Sequence, residues 1–270
     1  MTPARQPTII LVRPRAESSL FDVDERFGVL TEELAALFPN AYVVCVPFLY
    51  DATEQSLAVA QIRRLTQPRL VLSTLPPRAA RWLFRELLCE DVSQHDSFCQ
   101  VELFSVESLR SVIEVFLKTC TSMGETETSV DSSASPICIK ETLSPRWFPI
   151  IDRQECVGCL ECVNFCLFGV YTIDAQSRPV VESPDACRNG CPACSRVCPG
   201  GAIMFPLHAD PAISGKLDAH TVARQIQEHD TARRAREMRT EYLDRATSLD
   251  TNKTTDELDR LIDETDRFQE

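Results

Sequence analysis

Cys156-x2-Cys159-x2-Cys162-x3-Cys166 and Cys187-x3-Cys191-x2-Cys194-x3-Cys198-Pro199 hold eight of the thirteen cysteines of this 270-residue chain. Thiolates at this density can surround an iron–sulfur cluster, in which each iron takes one thiolate. Displaced by 32 positions, the first run overlays the second, with Cys159 to Tyr171 facing Cys191 to Ile203. Only the first ligand is out of step: Cys156 maps to position 188, and the cysteine is Cys187. The repeat predicts two copies of one structural unit related by a pseudo-twofold axis.

Three cysteines spaced two residues apart wrap three corners of a four-iron cube from one loop. The fourth ligand must come from elsewhere, because so short a loop does not reach round the cube. Over residues 146–207 the runs resemble the bacterial two-cluster ferredoxin, in which the fourth cysteine of each run serves the other cluster. The resemblance implies two [4Fe–4S] clusters. One would sit on Cys156, Cys159, Cys162 and Cys198, the other on Cys187, Cys191, Cys194 and Cys166. It also implies a small α+β ferredoxin-like domain with pseudo-twofold symmetry.

Two departures from the family pattern stand out. Leu167 follows Cys166 where the family usually has proline, and one extra residue separates Cys187 from Cys191. The insertion leaves open a distorted or labile second cluster, a three-iron cluster, or a single intact cube. Around the runs, Phe148–Ile151 and Ile203–Phe205 read as short strands that could pair. Tyr171–Ile173 and Pro179–Val181 bracket a hairpin turn region at 174–178. Gly158, Gly169, Gly190, Gly200 and Gly201 let the backbone approach the clusters and aim N–H groups at sulfur. Val157, Phe165, Val170 and Ile203 are expected to exclude water.

Rival chemistries fit less well. Structural zinc takes four ligands in two separated pairs, not two four-member runs. Cys187-x3-Cys191-x2-Cys194 is similar to the three-cysteine signature of radical S-adenosylmethionine enzymes, where a large barrel follows; here 72 residues follow Cys198 and they are mostly charged. The remaining Cys45, Cys89, Cys99, Cys120 and Cys138 contain no Cys-x-x-Cys pair and read as small buried hydrophobes.

The formal net charge of -12 argues against nucleic-acid binding, which needs a basic footprint. It suits redox partners that carry basic patches. No apolar run reaches the roughly 18 residues of a membrane span. The start, with Arg13 and Arg15 closing a short apolar run, does not read as a signal peptide. Metal-ligand cysteine spacing without an export signal points to a reducing cytoplasm.

Residues 1–120 read as an α/β domain, a parallel sheet with flanking helices. Strands are expected at Thr8–Val12, Ala41–Val46, Arg69–Leu72 and Phe98–Val106. Helices are expected at Thr31–Phe38, Thr53–Thr66, Pro77–Cys89 and Glu107–Cys120. Residues 121–145, Ser/Thr/Glu-rich at their start, read as a flexible linker. Residues 208–270 read as a charged helical tail, with helical runs at Ala219–Arg245 and Thr255–Phe268.

The first domain lacks the Gly-x-Gly-x-x-Gly and phosphate-loop fingerprints. Ligands of open α/β sheets bind outside the carboxyl ends of the strands, where Arg13, Arg15, Arg78 and Arg81 fall. These are candidate anion or partner contacts. The stretch Arg69 to Leu88 resembles the N-terminal region of the flavin-binding subunit of heterodisulfide reductase, with Leu75-Pro76-Pro77 in place of that family's Cys-Ser-Pro. The flavin-binding fingerprint of that subunit is missing here. The resemblance implies docking into a larger redox complex.

Three functional readings follow. In the first, an electron carrier passes single electrons between partners through two [4Fe–4S] clusters. In the second, a heterodisulfide-reductase-like oxidoreductase subunit holds a partner or small anion on its α/β domain. In the third, an iron–sulfur redox sensor rests on the odd Cys187 spacing. A cluster moves charge without an acid, base or nucleophile, so no catalytic residue is assigned.

Overall fold

The computed structural model describes residues 6–15, 23–65, 67–89, 96–122 and 135–228. The helix expected at 255–268, and the part of the 219–245 run beyond 228, lie outside these residues.

Five strands form one parallel sheet in the order β4-β3-β1-β2-β5: β1 (Thr8–Val12), β2 (Tyr42–Val46), β3 (Arg69–Ser73), β4 (Ser97–Gln100) and β5 (Ile137–Cys138). The central strands read as continuous Val/Ile/Leu runs because both faces are covered. Ile10, Val12, Val44, Val46 and Val71 face one layer, which contains α2 (Leu57–Ile62) and α3 (Pro77–Leu88). Ile9, Leu11, Val43, Leu70 and Leu72 face the other, with α1 (Val23–Leu37) and α4 (Val106–Ser122). At the amino end of the sheet the buried Arg69 makes a two-pronged pair with Asp96, at 3.0 and 2.7 Å.

α3 starts with Pro77 at its first turn, where the missing N–H costs nothing, and stops at Cys89, whose φ of 52° breaks the helical path. α1 begins eight residues before the expected Thr31, and α2 covers only the middle of the expected 53–66 helix. Within the span read as linker, Ile137–Cys138 pairs with Val44–Cys45 and adds the edge strand β5. Residues 139–149 then run as a strap over the first region. Ile139 N–H donates to Cys45 O, and Glu141 accepts from the Leu57 and Ala58 amides that open α2.

The strap leads into β6 (Ile150–Ile151), antiparallel to β9 (Ile203–Met204), while β7 (Tyr171–Ile173) pairs antiparallel with β8 (Pro179–Val181). Between them lie α5 (Glu161–Phe165), α6 (Ala193–Val197) and, after β9, α7 (Pro211–Ser214). Phe148, Ile150 and Met204 enter the same buried core as α3. The described residues up to Val222 therefore make one compact unit.

Candidate iron–sulfur site

α5 and α6 are five-residue helices, and each carries the third cysteine of its run at its second position, Cys162 and Cys194. Each is capped by the fourth cysteine in nearly the same extended conformation: Cys166 at φ -75°, ψ 113° and Cys198 at φ -77°, ψ 106°. Five residues later the chain enters β7 after one helix and β9 after the other. Gly169 and Gly201, 32 apart, hold positive φ at the same point of each turn.

The structure brings the cysteines together across the two runs. Cys162 lies among Cys198, Cys194 and Cys156, and Cys198 also faces Cys159. Cys194 lies among Cys187, Cys166 and Cys191, and Cys187 faces Cys191 and Cys166. Cys162, Cys194 and Cys198 are buried, and Cys159 is exposed. Burial, then the neighbouring thiols, pushes Cys162 up to about 12. Burial likewise pushes Cys194 up to about 12, against a hydrogen bond from Tyr171, and Cys187 up to about 11.

The surroundings suit an anionic sulfur-rich group. The Ala202 amide donates to Cys198 Sγ at 3.3 Å, and the Gly200 and Ile203 amides also favour its thiolate, although burial raises the thiol overall. The Tyr171 hydroxyl is buried without an oxygen or nitrogen partner among the described residues, and it faces Cys194. Both features call for negative charge on sulfur. Among the described residues no three Cys, His, Asp or Glu side chains converge as they would around one metal ion. A four-iron cube instead holds its thiolates at separate corners, farther apart than the ligands of a single ion.

The inserted residue between Cys187 and Cys191 is absorbed locally. A 3-10 turn at Pro184–Ala186 delivers Cys187, whose N–H donates to Pro184 O. A second turn, with Gly190 at φ 76°, brings the Cys191 N–H to Arg188 O at 3.0 Å. Asp152 shapes the other run: its carboxylate accepts from the Gln154 and Glu155 amides, and its carbonyl from Cys156 N–H. Trp147, near the end of the strap, stacks on Phe205 at 5.2 Å and donates from Nε1 to Cys191 O. A cavity of about 680 Å³ opens beside Cys187, between the strap and the segment 51–56 that precedes α2, and Arg15, Asp51, Glu141 and Arg146 line it.

The expected water-excluding residues divide. Val170 and Ile203 are buried, but Val157 is 70% and Phe165 51% exposed. Correcting the expectation, these two join Leu167, Phe168 and Ile173 as apolar side chains on the surface, Leu167 being 90% exposed. They belong to loops, a helix end and the end of β7, on the outside of a small unit whose interior is Cys162, Cys194, Cys198, Ala202, Ile203, Phe205 and Ile213.

Three of the four arginines turn toward the rest of the chain. Arg13 is buried and donates to Ile139 O at 2.8 Å. Arg15 pairs with Asp51, donates to Arg146 O and lies over the Phe48 ring. Arg78 pairs with Asp152 at 2.8 Å and donates to Gly201 O at 2.9 Å. Arg81 stays exposed, above the Phe98 ring. Asp51, Asp152 and the strap are the partners that the sequence reading did not single out. An arginine-rich loop facing a lone aspartate is the faint signal they leave.

No helix among the described residues is long and apolar enough to cross a membrane. No protein-family model matches the chain. It is 44% identical over 62 residues to the uncharacterized ferredoxin MJ0251 of Methanocaldococcus jannaschii, covering 22% of this chain and 41% of that protein. It is 38% identical over 71 residues to a polysulfide reductase polypeptide of Wolinella succinogenes, covering 23% of this chain and 35% of that one. To the uncharacterized ferredoxin MJ0722 of Methanocaldococcus jannaschii it is 33% identical over 58 residues, 21% of this chain but 74% of that protein. Since MJ0722 is matched along most of its length, the chain belongs, over this segment, to the ferredoxins; it spans less than half the length of MJ0251 and of the polysulfide reductase polypeptide.

Proposed function

We propose that the chain holds two [4Fe–4S] clusters and passes single electrons between redox proteins. One cluster takes Cys156, Cys159, Cys162 and Cys198, and the other takes Cys166, Cys187, Cys191 and Cys194. The observation that supports this reading is that each last cysteine meets the other run, Cys198 beside Cys162 and Cys159 and Cys166 beside Cys187 and Cys194, while Cys162 also meets Cys194 between them. When bound, the clusters supply one-electron chemistry. The chain's own part is to shield the buried thiolates and to aim amides at sulfur, which sets the potential. The two halves then form a pseudo-twofold unit in a cytoplasmic protein.

The apolar segment around Cys166 fits the exit for electrons. Phe165, Leu167 and Phe168 are exposed beside a ligand, and between Arg153 and Arg178 the chain has Glu155, Glu161 and Asp174 but no base. An apolar centre with an acidic surround suits a partner that presents a basic rim, in the small contacts typical of electron transfer. A second reading, a subunit of a larger oxidoreductase, is supported by the similarity to the polysulfide reductase polypeptide and by the α/β region that shares a core with the cysteine unit. In it, the α/β region docks into the larger complex, as the heterodisulfide reductase resemblance implies, and the exposed Arg81 at the carboxyl end of the sheet is a partner contact. Arg13, Arg15 and Arg78 act there by holding the two regions together.

Anaerobic purification followed by iron and sulfide analysis tests the reading. About eight irons and eight sulfides per chain are expected, with two interacting paramagnetic centres after reduction. Zinc without labile sulfide would overturn it. Leu167→Lys should keep the iron content and slow electron delivery to a basic acceptor by roughly tenfold.

A further inference from the structure

Two cysteines outside the runs face each other across the sheet. Cys45 on β2 and Cys138 on β5 are register partners on neighbouring parallel strands. Side chains opposite each other on adjacent strands project from the same face, and the strands lie about 4.8 Å apart. That spacing falls inside the Cα window of roughly 4.4–6.8 Å over which a disulfide closes. Both side chains pack on the same core layer, Cys45 within it and Cys138 against it, and the Cys138 thiol acts directly on Cys45. Cys45 is buried, whereas Cys138 is half-buried on a two-residue strand at the sheet edge. A short edge strand can shift by the fraction of an ångström that closure needs, where a central strand cannot.

We propose that Cys45 and Cys138 form a redox-active dithiol that closes by exchange with a low-molecular-weight disulfide. The more accessible Cys138 thiolate attacks one sulfur of the small disulfide, whose S–S bond breaks. One small thiolate leaves and takes a proton. The Cys45 thiolate then attacks Cys138 Sγ in the mixed disulfide, forms the intrachain S–S bond and releases the second small thiol. The protein loses two electrons and two protons, and the small disulfide gains them as two thiols.

Arg13 and Thr31 act on this pair. The guanidinium and the hydroxyl both favour the Cys45 thiolate, against burial and the neighbouring Cys138, which raise the thiol and dominate. Cys45 is thus a weak initiator but sits in place to resolve the mixed disulfide. Closure has a structural consequence, because β5 begins the strap. Ile139, next in sequence, bonds to both Cys45 O and Arg13, and near its far end the strap carries Trp147, whose Nε1 donates to Cys191 O. A covalent tie at Cys138 therefore fixes one end of the segment that reaches the Cys187–Cys191 side of the cysteine unit.

The experiment uses the full-length, anaerobically purified protein and oxidised glutathione as the probe. After incubation, free thiols are blocked with N-ethylmaleimide and the digest is read by mass spectrometry. The expected result is a Cys45–Cys138 cross-linked peptide that dithiothreitol reverses, with unchanged visible cluster absorption. The thermal midpoint should rise by about 5–10 °C. Cys138→Ser and Cys45→Ser should each abolish the cross-link, and Cys99→Ser should leave it intact. A stable glutathione adduct on Cys138, or both thiols still alkylated after oxidation, overturns the proposal. The wild-type digest decides even if Cys45→Ser fails to fold.

Discussion

A methyl group added at Gly200 would sit 2.6 Å from the Glu155 carbonyl oxygen, closer than a carbon can approach backbone. Gly200 therefore lets the end of the second run lie against the start of the first, and its own amide helps to cradle Cys198. Gly200→Ala is expected to destabilise the protein by about 1–3 kcal/mol, read from urea unfolding, and to lower bound iron. Tyr171 acts on the other neighbourhood. Its buried hydroxyl faces Cys194 and has no nitrogen or oxygen to bond among the described residues. Removing a donor to anionic sulfur disfavours the more reduced, more negative state. Tyr171→Phe should lower one potential by about 1 kcal/mol of lost hydrogen bond, roughly 40 mV for one electron; potentiometric titration checks it, and an unchanged potential would mean the hydroxyl serves packing alone. The cysteine and glycine positions were legible because their spacing is itself the signal. The exposure of Val157 and Phe165 was not, since an apolar residue beside a ligand reads the same whether it seals a cluster or meets a partner.

At the scale of elements, long periodic segments were readable and contacts made from far along the chain were not. α3 shows its apolar face at helical spacing and its start in Pro77, so its bounds came within a residue. α2 is short because its first amides are closed by Glu141, 84 positions downstream. β5 is too short to show alternation, and it lies within a Ser/Thr-rich span whose composition argues for a linker. The ion pair between α3 and the cysteine unit is of the same kind. Arg78 Nε donates to Asp152 at 2.8 Å while its Nη2 bonds Gly201 O, so one side chain ties α3 to both runs. Asp152 is buried and would be left without its cation. Arg78→Leu should therefore cost about 3 kcal/mol and lower the iron content. Asp152→Asn, which keeps the shape, should cost less. Chemical denaturation of both variants checks the order, and equal small losses would show that the pair is not what joins the regions.

For the whole molecule, the shared core makes stability and cluster assembly one problem, and pH exposes the link. Burial lifts Cys162 and Cys194 to about 12 and Cys187 to about 11, above the ordinary 9.0 of an unfolded thiol. Between these limits the folded iron-free chain holds protons that the unfolded chain has lost, so its stability falls as pH rises. The contribution is fully present below pH 9 and is lost progressively toward 12. Tyr50 and Tyr171, both raised by burial, add a slope of the same sign to any folded form. Iron changes only the thiol part. Once cysteines are metal-bound thiolates they no longer carry those protons, and their assembly has released them. The iron-free protein is thus expected to lose unfolding midpoint more steeply than the iron-loaded protein between about pH 8.5 and 10.5, and the difference between the two slopes isolates the cysteines from the tyrosines. Urea midpoints of both forms across that range measure it. Parallel slopes would mean that the buried thiols do not bind the group whose anionic ligands they would become.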